Sequence, residues 1–201
     1  MNIYFLFNKT KIMKKNQLFI LVLIVLGTTF TSCKKESTDS SVATVIPYLK
    51  IGNQWVYNVT GGFTAYKKFT KTVTGNTNGI YLSTTLWDAT AGGNVYEYGD
   101  NGYLDTYEDN EAKGPNQHLL KYTNPKVGDT WTRITATETY YHTMVSIDTS
   151  ITVAAGTFVC NAVKTTFKNA FNEQTTYWSN QYGQIKVDGL LLSTELASKN
   201  F

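Results

Sequence analysis

From residue 47 onward, short runs rich in Thr, Val, Ile, Tyr, Phe and Trp alternate with clusters of Gly, Asn and Asp. β-Branched and aromatic runs bounded by turn-forming residues predict strands. The runs fall at 54–60, 63–74, 80–87, 94–98, 103–107, 118–122, 130–147, 151–153, 158–167, 174–179, 185–187 and 190–196. Gly61-Gly62, the cluster from Gly75 to Gly79, and Asp100-Asn101-Gly102 carry residues that tolerate the positive φ of tight hairpins. Asn101-Gly102, between Tyr98 and Tyr103, is the strongest of these signals. No stretch repeats its apolar residues at a helical period, and the polar stretch from Glu108 to Pro115 reads as an exposed loop, or at most one helical turn. Consecutive hairpins without helices predict an all-β fold, a single antiparallel meander. So many strands do not stay flat; they curl into a barrel or half-barrel, or fold into a two-sheet sandwich.

The chain before residue 47 has another texture. Lys14 and Lys15 precede nine consecutive apolar residues, Leu18 to Leu26, followed by small or weakly polar residues ending at Ser32-Cys33. That is the layout of a secretory signal. The run is short of the roughly 20 apolar residues that a membrane-spanning helix needs. A complete signal already starts at Met13, so Met13 is the expected start, and residues 1–32 are assigned to the signal peptide. Lys34 to Ser41 is polar, and residues 33–46 read as a lipidated flexible tether, spanning about 20 Å on average. Residues 47–201 form the β domain, a length suited to one domain with a proper core.

Charge changes once the signal is removed. Of the 18 basic residues, Lys9, Lys11, Lys14 and Lys15 precede Cys33, where there is no acidic residue; 14 basic face 15 acidic side chains thereafter. Arg133 is the lone arginine. A near-neutral chain without a basic face is not expected to bind nucleic acid.

Phe30-Thr31-Ser32-Cys33 resembles the lipobox of bacterial lipoproteins, with Phe30 where leucine is usual. The resemblance implies cleavage after Ser32 and a diacylglyceryl group on Cys33, which becomes the membrane anchor. Two or more acyl chains hold a protein durably, whereas one does so only marginally. Lys34 directly after the cysteine resembles outer-membrane lipoproteins of Gram-negative bacteria. Lys34-Lys35-Glu36 is similar to surface-export tags, which leaves the periplasmic and outer faces both open. Cys160 is the other cysteine and reads as a buried strand residue.

The opening Pro47-Tyr48-Leu49-Lys50-Ile51-Gly52-Asn53-Gln54-Trp55-Val56-Tyr57 is similar to the start of a broad group of bacterial lipoproteins, Pro-Leu-x-x-Gly-x-x-Trp-x-Tyr. Val153-Ala154-Ala155-Gly156-Thr157-Phe158, and Tyr177-Trp178 followed by Gly183-Gln184-Ile185-Lys186, also look like that group, with Ala154 in place of its proline. The resemblance implies a curved sheet shaped like that of lipoprotein-localisation factors; it carries no chemistry. Within the chain, Lys50-Ile51-Gly52-Asn53-Gln54-Trp55 matches Lys126-Val127-Gly128-Asp129-Thr130-Trp131, 76 positions on. The match is read as one turn chemistry used twice, in preference to a duplicated half.

No catalytic set stands out. His118 and His142 are the two histidines, in no metal-ligand spacing, and no nucleophile elbow or phosphate-binding glycine loop is present. Asp100, Asp105, Glu108, Asp109 and Glu111 are the best candidates for calcium, but the full loop pattern is missing and no metal or cofactor is expected. The 14 tyrosines and four tryptophans are expected to fill a barrel interior and pair across strands, with a groove for an apolar ligand or a glycan as the alternative. The expectation is therefore a lipid-anchored outer-membrane protein whose β domain binds a ligand or serves the envelope without catalysis. The alternatives are a carrier of an apolar molecule in a concave sheet, and a hydrolase whose site assembles only in three dimensions. The last requires His118 or His142 beside an acid or a hydroxyl in a cleft.

Overall fold

The computed structural model describes residues 43–61, 65–109, 111–168 and 172–201. The signal segment, the Ser32–Cys33 junction and the tether up to residue 42 lie outside the described residues. The described residues form no helix. They form β1 (Gln54–Thr60), β2 (Lys68–Thr77), β3 (Ile80–Trp87), β4 (Thr90–Asp100), β5 (Tyr103–Glu108), β6 (His118–Lys121), β7 (Thr130–Ile134), β8 (Thr139–Val153), β9 (Gly156–Phe167), β10 (Glu173–Ser179), β11 (Gly183–Gly189) and β12 (Ser193–Lys199).

All twelve belong to one antiparallel sheet, in the order β6-β5-β4-β3-β2-β1-β12-β11-β10-β9-β8-β7. Pairing of β1 with β12 brings the two ends of the meander together. The sheet curls until its edges, β6 and β7, meet at a single bridge, Gln117 to Arg133, beside which Ile134 N donates to Asn116 O at 2.8 Å. The fold is thus a nearly closed barrel, not a sandwich. Inward side chains, among them Trp55, Tyr57, Val73, Leu104, Leu120, Met144, Ile185 and Leu196, make one continuous core.

Several strand ends shift by a few residues from the sequence expectation, as in β2, β4 and β12, and two differences change how the strands divide. The run 130–147 is two strands: Thr135 N donates to Glu138 O, and the Thr135 hydroxyl accepts from Glu138 N, so this Thr-rich stretch makes a turn without Gly or Pro. Conversely, 148–150 does not end a strand, because Asp148 takes a positive φ of 53° inside a bulge and β8 continues to Val153. Side chains that hydrogen-bond their own backbone can replace glycine in a turn, and Asp tolerates the left-handed region.

The fold also starts before Pro47. Ala43 bridges Asp100, Thr44 N donates to Gly99 O, and Ile46, placed in the tether by the sequence, is buried. Gly99 permits this approach, since a Cβ there would collide with the Thr44 carbonyl. Tyr48 and Leu49 follow into the core and plug that end, the Tyr48 ring standing edge-on to Trp55 at 6.0 Å.

The matched hexapeptides make the same turn. Asn53 N donates to Lys50 O and Asp129 N to Lys126 O, both at 3.0 Å, and Gly52 and Gly128 share a φ of 91°. Each turn is then fastened to the following hairpin. Gly52 N donates to Val73 O and Val73 N to Asn53 O; Gly128 N donates to Met144 O and Met144 N to Asp129 O. Six strands follow each turn. The repeat therefore extends beyond turn chemistry to two six-stranded halves that meet at β1–β12 and at β6–β7.

Candidate functional site

The barrel lumen is where charge and aromatic surface converge. Because strand side chains alternate between faces, Trp55 and Tyr57 of β1, Phe69 and Lys71 of β2, Thr85 of β3, Val95 and Glu97 of β4, and Thr106 and Glu108 of β5 share the inner wall. With Arg133 and Trp178 from the other half, and Tyr48 from the plug, they line a cavity of about 230 Å³. A larger depression of about 600 Å³ lies at the plugged end, along residues 43–45, 101–103 and 121–123. Its one charged group, Lys121, is already paired with Asp129 at 2.8 Å, so the smaller cavity holds the richer chemistry.

At its heart is a buried ion pair. Lys71 Nζ lies 2.6 Å from Glu97 Oε1, and the Ser83 hydroxyl donates to Glu97 Oε2 at 2.7 Å. Glu97 is 1 % exposed and Lys71 17 %. Both carboxylate oxygens are thus occupied, as a buried anion requires. Lys71 Nζ also stands 5.3 Å from the Trp55 ring centroid. The neighbouring polar groups of the aromatics are mostly tied to the wall: Trp55 Nε1 donates to Tyr182 O at 2.7 Å and the Tyr57 hydroxyl to Gln184 O at 3.0 Å. The Tyr48 hydroxyl is buried without a partner among the described residues. Burial, then the Glu97 charge, pushes the phenols of Tyr48 and Tyr57 far up, so both stay neutral.

Across the lumen, Arg133 sits 5.2 Å from the Tyr140 ring, and its Nη2 lies 3.8 Å from Glu111. Among the described residues its Nε has no partner, and neither have Trp131 Nε1 and His142 Nε2 on the same strand pair. His142 stacks on Trp131 at 5.4 Å and its Nδ1 lies 2.9 Å from the Thr165 hydroxyl. Burial, helped by Arg133, lowers its pKa to about 4, so it is a neutral core imidazole.

The sequence candidates scatter. Asp105 joins His118, at 2.7 Å, on the face opposite to Glu97; that hydrogen bond raises the histidine pKa despite partial burial. No hydroxyl or thiol is bonded to His118 among the described residues. Asp109 accepts from the Tyr96 hydroxyl, Glu111 faces Arg133 and Glu108 lines the lumen. The acidic set therefore does not converge, and among the described residues no group of three or more His, Cys, Asp or Glu is placed to hold a metal ion. Cys160 is buried, with its thiol pushed up to about 11 by burial. Cys33 and Ser32 lie outside the described residues.

Compared with protein-family models, curated proteins and solved structures, the chain matches none of them. What the site does must be argued from its own residues. Sequence reading missed Lys71, Glu97 and Arg133. Two of them carried a signal: Lys71 is in phase with Phe69 and Val73, and Arg133 with Trp131, so each charge sits at an apolar, inward position of its strand. Glu97 carried none, since Tyr96 and Tyr98 on either side look like the inward residues.

Proposed function

We propose that this chain is a lipid-anchored outer-membrane lipoprotein whose barrel binds a small molecule in its lumen and performs no catalysis on it. The observation that carries the proposal is the 230 Å³ cavity walled by Trp55, Tyr57, Phe69 and Trp178 around the Lys71–Glu97 pair. Ligand sites combine apolar walls with a few placed polar groups in this way. An apolar cavity of about 150 Å³ accepts benzene, so the lumen suits a molecule of one ring or one sugar. A long acyl chain suits it poorly: drug-sized pockets start near 300 Å³, and the charged side chains of Lys71, Glu97, Glu108 and Arg133 would face the chain. The carrier reading thus narrows to a small, partly polar cargo. The hydrolase reading keeps a histidine beside an acid, His118 with Asp105, but among the described residues no hydroxyl or thiol is bonded to His118, and the pair lies on the face opposite to the lumen's Glu97.

The test is nuclear magnetic resonance of the tryptophan indole N–H groups during titration with phenol, benzoate, benzylamine and glucose, each into the millimolar range. Lumen binding shifts Trp55 and Trp178 together, and Phe69→Trp, which fills the cavity, removes the shifts. If no probe moves either signal, the lumen is not a binding site. Anchoring is tested separately, by mass spectrometry of the amino-terminal peptide of protein taken from native membranes. A diacylglyceryl-modified Cys33 is expected; a bare thiol there refutes the anchor.

A further inference from the structure

The twin turns present apolar side chains for which the fold has no use. In each, the first carbonyl accepts from the fourth N–H and the third residue is the positive-φ glycine, which leaves Ile51 and Val127 at the second, outermost corner. Ile51 is 64 % exposed and Val127 61 %. Turn corners ordinarily carry Pro or polar residues, and here each follows an exposed lysine, Lys50 or Lys126.

Their placement follows from topology. β1 and β7 both start at the same end of the barrel, with five strands between them either way round the ring. Ile51 and Val127 are therefore two prongs on opposite sides of one end. The described chain begins at this end too, where Ala43 bridges the β4–β5 hairpin and Val45 is 81 % exposed. Nine residues, 34–42, separate it from Cys33, a chain length of at most about 35 Å. The opposite end exposes Leu190 and Leu191, so exposure alone does not select an end; the tether does.

We infer that the plugged end is a membrane-docking surface, with Ile51 and Val127 set into the interfacial layer of a phospholipid bilayer and Lys50 and Lys126 against its headgroups. Two prongs and the tether give three points of support, so the barrel axis stands along the membrane normal and the far end faces away. This extends the proposed function and rests on its lipidated Cys33. Apolar side chains contribute to interfacial binding in proportion to their buried area, and lysines add attraction to anionic lipid.

The test uses the lipidated protein in vesicles of phosphatidylethanolamine with a minority of phosphatidylglycerol. An environment-sensitive NBD label is placed at Ile51→Cys, Val127→Cys or, as the far-end control, Leu190→Cys; Cys160, 1 % exposed, does not compete for the label. At 51 and 127 the emission should shift to the blue, brighten about twofold or more and be quenched by spin-labelled lipid, as for a group entering the interface; at 190 it should not. Labels at 51 and 127 that stay as aqueous as the one at 190 overturn the inference. The mass of the amino-terminal peptide from the same sample separates the two failures: acylated Cys33 with aqueous labels sinks the docking surface alone, whereas unacylated Cys33 sinks the anchor and the docking surface with it.

Discussion

Lys71→Met offers the sharpest test of the lumen. The substitution keeps the length and most of the apolar stem of the side chain, and removes the charge 2.6 Å from Glu97 Oε1. Ser83 still donates to Oε2, so one hydrogen bond survives and a nearly inaccessible anion is left without its counter-ion. Breaking one side of a buried pair costs about 3–5 kcal/mol; the partial exposure of Lys71 argues for the lower figure, about 3 kcal/mol. For a domain of this size that lowers Tm by roughly 6–12 °C, out of a total stability of about 5–15 kcal/mol. Replacing both partners, Lys71→Met with Glu97→Leu, should recover most of the loss, because no charge is then left behind. Urea unfolding followed by tryptophan fluorescence measures both variants against the native chain. A Lys71→Met loss below about 1 kcal/mol would mean that Glu97 is well solvated, and the account of the lumen would fall.

Three further outcomes follow from the geometry. His142, with its pKa lowered to about 4, binds a proton less readily folded than unfolded, so stability is lost as pH falls from about 6.5 toward 4, by up to about 3 kcal/mol; His142→Asn should flatten that part of the urea-midpoint profile, and an unchanged slope would contradict its burial as a neutral ring. His118 has the opposite sign: its raised pKa means that its contribution is present below about pH 6.5 and fades as pH rises through the folded value, and Asp105→Asn should return its imidazole titration, read by NMR, toward the ordinary histidine range. Trp55→Phe should cost about 1 kcal/mol more than Trp131→Phe, because the first indole loses a 2.7 Å bond to Tyr182 O while the second has none to lose; equal costs would show that the two halves are not so different.

The barrel could be read from the chain because its strands are short, dense in β-branched and aromatic residues, and separated by Gly and Asn turns. The ends of β1 and β3 fall where those signals put them, at 54–60 and 80–87. Errors arose where polar side chains do the work of glycine, as at Thr135, or where a bulge hides a turn signal inside a strand, as at Asp148. The site was less legible for a different reason. A strand's alternation says which residues share a face, not which face is inside. In β4 the tyrosines at 96 and 98 outweigh Glu97 on any hydropathy scale, yet Glu97 faces the lumen. Its partners, Lys71 and Ser83, come from strands 14 or more residues earlier. Pairing of β2 with β3 and of β3 with β4 sets the three together.

The two halves also explain why the ring stays open at one place. In the first junction, β1 and β12 pair over six residues. The equivalent pairing of β7 with β6 would close the barrel, but β6 has four residues and a register shift between Leu104 and Asp105 where it pairs β5. A bulge turns a strand and ends its pairing, so β6 diverges from β7 below the Gln117–Arg133 bridge. Side chains then take over from the backbone. Lys121 and Asp129 join across the gap at 2.8 Å, and Tyr103 meets Trp131 at 6.3 Å. Trp131 is the counterpart of Trp55, and its unpartnered indole is what an incomplete junction leaves behind. Arg133, on the same strand and facing the lumen, inherits the same unfinished hydrogen bonding. Edge strands with few ladder bonds open at the lowest free energy in a sheet. The seam is thus the weakest part of the wall and also borders the site, through Leu119 and Arg133, and a ligand reaching the lumen from the side would pass between β6 and β7. Hydrogen exchange should rank the amides of β6 and β7 as the fastest of the twelve strands; protection there equal to that of β1 and β12 would mean that the ring is closed.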